Sequence, residues 1–120
     1  MPRSHVHPGN FGPLADLPFH ILLALGEGAS HGYAIGKEIE GRTSGRLNPT
    51  TGSLYQALRR LREDEFIAPA DPPPDHDRVD ARRRYFQLTP LGRRVMAQEV
   101  ERLEALISLA RERSLAPKRP

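Results

Sequence analysis

Apolar residues recur along this chain at helical spacing in four stretches and as short extended runs in two. Leu14, Leu17, Ile21, Leu22 and Leu25 share one face and predict a first helix over about residues 14–25. Pro18 predicts that its regular part begins there, after Asp16 or Leu17, and Gly26 and Gly28 end it. A second helix is expected from a Ser30 cap to about Gly41, with Ile35 and Ile39 inward and Lys37, Glu38 and Glu40 in water. Gly32 and Gly36 weaken that helix by roughly 1 kcal/mol each relative to Ala. Close packing against a neighbouring helix is the expected compensation. Gly41 to Pro49 reads as a polar connection, with Arg46-Leu47-Asn48 as a candidate short strand.

The third helix is the clearest. Thr50 or Thr51 caps it, and Leu54, Leu58 and Leu61 form one apolar stripe before it ends near Asp64. Phe66-Ile67-Ala68 and Arg82 to Leu88 read as two strands of a hairpin. The segment between them, Ala70 to Ala81, holds three consecutive prolines and four aspartates and suits a long tip. Thr89 and Pro90 open a last helix reaching about Arg113. Its Met96, Val100, Leu103, Ile107 and Ala110 repeat as a heptad seam, widened by Leu106 and Leu109.

Three short helices, a hairpin and a long helix make a mainly α fold with a small β-hairpin. This is the winged helix-turn-helix plan with a C-terminal dimerisation helix added. The expected division is a flexible arm over 1–13, a DNA-binding domain over 14–88, a dimerisation helix over 89–114 and a disordered tail over 115–120.

With 120 residues, one domain is expected, with a modest core that a dimer interface would supplement. The net charge of +3 permits a nucleic-acid partner without requiring one. Of the 18 basic residues only Lys37 and Lys118 are lysines. Arginine suits phosphates and guanine edges, although a GC-rich coding sequence produces the same bias. There is no cysteine, no apolar run long enough to span a bilayer and no signal-peptide pattern near the start. A cytoplasmic protein is expected. His5 and His7 have no third ligand in reach, so no metal and no cofactor are expected.

On the third helix, Gly52, Ser53, Gln56, Arg59, Arg60 and Glu63 oppose the leucine stripe, flanked by Thr51, Tyr55 and Arg62. Small side chains near the N-terminus let the backbone approach a duplex closely, and the amide and guanidinium groups match base edges. A solvated helix face has the same pattern. Arg82-Arg83-Arg84 opens the second strand, where alternation puts Arg84, Phe86 and Leu88 on one face and Arg83, Tyr85 and Gln87 on the other. Phosphate contact by an outward arginine and an ordinary basic strand are both open. The acidic tip should repel phosphates. Leu88, Leu91 and Val95 are expected to pack at home. The distal seam (Met96, Val100, Leu103, Leu106, Ile107, Ala110) is expected to pair with a second copy, giving a homodimer.

Three motifs resemble the PadR-like family of transcriptional regulators, over about residues 14–113. His31-Gly32-Tyr33-Ala34-Ile35 resembles the family's Gly-Tyr-x-Ile. Gly52-Ser53-Leu54-Tyr55-Gln56-Ala57-Leu58-Arg59-Arg60-Leu61 resembles its Gly-Thr-Leu-Tyr-Pro-x-Leu-x-Arg-Leu. Arg83-Arg84-Tyr85-Phe86-Gln87-Leu88-Thr89-Pro90-Leu91-Gly92 resembles its Arg-Lys-Tyr-Tyr-x-Leu-Thr-x-x-Gly. The resemblance implies a dimeric repressor that meets double-stranded operator DNA through Ser53, Tyr55 and their neighbours. Some members release DNA when a phenolic or other small hydrophobic effector binds near the dimer interface. Gln56 replaces a usual proline. Glu65 stands where a glycine commonly precedes the hydrophobic pair, which puts the local turn in question. With no tryptophan, a stacking drug pore is not supported.

The rival classes are weaker. No catalytic constellation is present: no thiol, no phosphate-binding loop, and no acid placed to orient His20 or His31. A winged-helix protein–protein interaction module would more often expose apolar groups where Gln56, Arg59 and Arg60 stand.

Overall fold

In the computed structural model, residues 14–74 and 83–117 are described. The arm over 1–13, the loop over 75–82 and the last three residues lie outside them. The elements are α1 (Asp16–Ala24), a single 3-10 turn (Leu25–Glu27), β1 (Ser30–His31), α2 (Gly32–Arg42), α3 (Thr51–Glu63), β2 (Ile67–Ala70), β3 (Tyr85–Leu88) and α4 (Pro90–Glu112). The fold is the expected one: mainly helical, winged, with a long C-terminal helix.

Several boundaries differ from expectation. Helix α1 starts at Asp16, with Pro18 inside its first turn, where a missing N–H leaves no hydrogen bond unmade. Ser30 is not the cap of α2. It lies in β1, and His31 caps instead, its Nδ1 accepting from the Ala34 N–H at 3.2 Å. Arg46-Leu47-Asn48 is not a strand. The connection folds on Thr43, whose hydroxyl oxygen accepts the Leu47 N–H at 3.0 Å. The strand predicted over 66–68 is Ile67–Ala70, and the one predicted from Arg82 begins at Tyr85.

The sheet has the order β1-β3-β2, antiparallel throughout, with His31 opposite Tyr85 and Ile67 opposite Leu88. Pro69 is tolerated because β2 is an edge strand. β3 is central. Tyr85 and Phe86 are both buried: Phe86 joins the core, and the Tyr85 ring packs edge-on against His31 with centroids 5.2 Å apart.

Ile21, Leu22 and Leu25 meet Ile35, Ile39, the three leucines of α3, Ile67, Phe86 and Val95 in one core. Leu88 and Leu91 pack against it as expected. Met96, expected to open the seam for a second copy, packs on the core as well, so the part of the seam without a home partner begins after it. The small glycines of α2 are explained by contact. A Cβ on Gly32 would stand 2.5 Å from the Tyr55 hydroxyl, and one on Gly36 would stand 3.3 Å from Leu54. The helices approach through these positions, as the glycine spacing predicted.

The turn between α3 and β2 keeps its geometry despite Glu65. That residue takes the left-handed conformation itself, at φ 66°. The Phe66 N–H reaches back to the Leu61 carbonyl at 2.9 Å, closing the helix as a glycine-type C-cap does. Thr89 ties this corner to α4. Its hydroxyl donates to the Glu65 carbonyl at 2.6 Å while accepting the Gly92 N–H at 3.0 Å. A Cβ on Gly92 would run into the Phe66 carbonyl. The spacing Thr-x-x-Gly therefore has a mechanical cause: one residue caps the helix and the other leaves room for the strand.

Candidate nucleic-acid interface

Helix α3 is held by its buried leucines and by Thr50, whose hydroxyl oxygen accepts the Ser53 N–H at 3.0 Å. Thr51, Gly52, Ser53, Tyr55, Gln56, Arg59 and Arg60 all face solvent, as the helical wheel predicted. No side chain comes near the space a Cβ on Gly52 would take. The backbone there is open to close approach. The Ser53 hydroxyl donates to the Thr50 carbonyl at 3.1 Å, so it serves the cap as well as the surface.

An open groove runs between α3 and β3. Gly52, Tyr55, Gln56, Arg59 and Arg62 line one side, and Arg84 and Phe86 the other. Three guanidiniums and no carboxylate border it. The Arg84 guanidinium lies over the Phe86 ring, 5.9 Å from its centroid, which holds the charge at the groove wall. Such a groove can hold a polyanion along its length and present an amide and a phenol to whatever enters.

The predicted residues divide within this arrangement. Gly52, Tyr55, Gln56 and Arg59 line the groove together. Thr51 and Arg83 stand on the far side of Tyr55, toward α2. Arg60 faces away, toward Pro18, Ala57 and Asp64. Arg82 lies outside the described residues. Arg62, read from the sequence as flanking the leucine stripe, and Arg84, read as sharing a face with Phe86 and Leu88, both line the groove as well. Arg62 sits three residues after Arg59, one turn along the same face, and that spacing was the available signal.

The far end of the molecule differs in kind. On α4, Val100 is 41% exposed, Leu106 51% and Ile107 44%, with Leu103 and Ala110 half-buried. Between this stretch and the core sits Glu99, whose carboxylate is buried. Arg102 donates to it twice, at 2.9 and 2.8 Å, and the Leu14 N–H at 3.1 Å. The Arg102 hydrogen bonds are the main reason its pKa is held below the ordinary carboxylate value.

Among the described residues, no group of three or more His, Cys, Asp or Glu side chains is gathered for a metal, and no helix is long and apolar enough to cross a membrane.

A three-helix domain whose third helix stands exposed beside a β-hairpin is a winged helix-turn-helix, a DNA-binding architecture. Residues 21–98 match the model of the transcriptional regulator PadR-like family, and the chain belongs to that family. It is a DNA-binding transcription regulator. A curated relative, an uncharacterized transposon protein of Streptomyces fradiae, is 37% identical over 91 residues, which is 76% of this chain. The match spans only 24% of that relative's length. A transcriptional regulator from Clostridium thermocellum superposes with a TM-score of 0.65 at 28% identity, covering 80% of this chain and 87% of that one. A PadR family transcription regulator from Clostridium difficile gives a TM-score of 0.66 over 80% and 95% of the two chains; at 20% identity this speaks for the fold alone.

Proposed function

We propose that this regulator is a repressor that acts in the cytoplasm as a homodimer, each protomer laying α3 along operator DNA. The groove bordered by Arg59, Arg62 and Arg84 is the observation that carries this reading, because it sets three cations along the exposed face of α3. Gln56 and Arg59 read base edges, while Arg62, Arg84 and the arginines before β3 hold phosphates. In this reading, residues 14–88 form the DNA-binding unit and α4 the dimerisation helix. The uncovered Val100, Leu106 and Ile107 support a second copy of the helix as their partner. A dimer places two copies of α3 on half-sites about one helical turn apart, or a multiple of that.

A small hydrophobic effector, phenolic in some relatives by the resemblance above, is the proposed releasing signal. The cleft between the start of α1 and α3 has Leu14, Pro18, Ala57 and Leu61 among its lining and offers apolar surface beside Leu14, whose N–H donates to Glu99 of α4.

The test is a binding titration on the DNA upstream of the protein's own gene, at two salt concentrations, with random DNA as competitor. Tight, competitor-resistant binding that weakens with salt supports a sequence-specific regulator. Arg59→Ala should then cost roughly 1–3 kcal/mol of specific binding, and unchanged affinity would remove Arg59 from the base-reading set. Failure to bind any DNA at low salt would favour a protein-interaction module.

A further inference from the structure

We propose that Gly32 is a positioning residue for sequence readout: by leaving out a side chain, it seats the Tyr55 ring at the end of the arginine groove. This role rests on the DNA-binding reading above and adds to it a buried residue of α2 that acts through a neighbour.

Gly32 opens α2 and is buried. Backbone freedom is not what the position uses. The glycines with positive φ are Gly28 and Gly45, whereas Gly32 is helical, and helix propensity favours alanine there. What the position requires is room. A Cβ on Gly32 would stand 2.5 Å from the Tyr55 hydroxyl oxygen, 2.7 Å from Cζ and 3.1 Å from Cε1. The outer edge of the ring thus occupies the space of the missing side chain, and a methyl group cannot share it.

Tyr55 is the movable party of the two. It is 46% exposed and can turn to another rotamer, while Gly32 is held in the buried start of a helix. The place of the ring matters because Tyr55 borders two hollows. One is the arginine groove, with Gln56 and Arg59, and the other lies against α2, with Thr51. The ring is the wall between them. Pushed off Gly32, it swings into solvent or into the groove, and a duplex seated on Gln56 and Arg59 meets them at a changed depth. Hydrogen bonds to base edges depend steeply on distance and angle, whereas attraction to phosphates does not. Displacing the ring should therefore cost sequence discrimination before it costs general affinity.

Gly36, one turn further on, gives the contrast. A Cβ there would stand 3.3 Å from a methyl group of Leu54, which belongs to the core. Gly36 serves packing, and Gly32 serves the exposed face of α3.

The experiment uses the full chain, a duplex that wild type enriches from a random-sequence pool, and a random duplex. Binding is followed by fluorescence anisotropy beside thermal melts. Gly32→Ala should lower affinity for the enriched duplex about tenfold, the size of one lost base contact, and leave random-duplex affinity and the melt near wild type. Tyr55→Ala should show a similar loss. Gly32→Ala/Tyr55→Ala should lose no more than Tyr55→Ala alone, because no ring remains to be displaced. Gly36→Ala should move only the melt. The role is overturned if Gly32→Ala or Tyr55→Ala keeps wild-type discrimination, if the double variant loses the product of the two single losses, or if Gly36→Ala narrows discrimination equally. It is also overturned if Gly32→Ala unfolds the chain, since the ring would then be unable to yield. In each of these cases wild type still selects a sequence, and the DNA-binding reading stands. If wild type enriches no sequence, both readings fall.

Discussion

The two halves of α4 belong to different kinds of structure. Up to Glu99 the helix is finished: Val95 is buried, Met96 packs on the core, Gly92 is buried against the strand, and Glu99 has three donors around its carboxylate. Beyond Glu99 the same heptad spacing continues, but Val100, Leu106 and Ile107 stand in solvent and Leu103 and Ala110 are only half-buried. Periodicity is equal in the two halves, so periodicity does not determine burial. What differs is whether the rest of the domain has a surface left to offer. The apolar stripes of α1, α2 and α3 are spent on one another, and the distal half of α4 extends past them. A helix that keeps its seam after its own domain has run out supports the proposal of a second copy as its partner.

This contrast can be broken from either side. Leu103→Asp attacks the distal half. Placing a charge in a paired seam should weaken the dimer by about 3–5 kcal/mol, enough to leave monomers in sedimentation, while the domain's melt at high dilution stays near wild type. A dimer that survives puts the interface elsewhere. Gly92→Ala attacks the proximal half. Its Cβ meets a backbone carbonyl that has no rotamer to escape into, so the fold should lose about 3 kcal/mol, read as a lower urea midpoint at every protein concentration.

Glu99 sits at the junction, and its effect depends on pH. Its folded pKa lies below the ordinary value of 4.5, mainly through the hydrogen bonds from Arg102. Its contribution to stability is therefore present above about that value and is lost as pH falls through the lower, folded pKa. Glu99→Gln should remove this part of the acid limb of a stability–pH curve and leave the neutral limb parallel to wild type. An unchanged acid limb would mean that Glu99 is not a titrating anchor. The smallest expected effect is a gain. Glu65→Gly relieves a left-handed residue at the end of α3 and should raise stability by about 0.5–1 kcal/mol in thermal melts, without changing dimerisation.

Much of this architecture is legible in the sequence where one residue type has one physical use. The Leu54-Leu58-Leu61 stripe, the Thr50 and Thr89 caps and the glycine contacts of α2 are of that kind. β1 is not, because two residues show no alternation and its partner lies far along the chain. The His31 cap escapes for a related reason: histidine is not among the usual capping residues, although Nδ1 is a competent acceptor. Alternation placed Arg84 beside Phe86, as the structure has it, with no indication that α3 would supply the opposite wall. The groove is a tertiary feature, so only half of its lining could be read from either segment.

The most direct test of the whole account is a footprint of the full chain on its operator, taken together with the stoichiometry of the complex. The account predicts two symmetric protected half-sites, spaced by a whole number of helical turns, with two chains bound. A single protected half-site occupied by one chain would contradict it, since the distal seam of α4 would then be uncovered in the working complex.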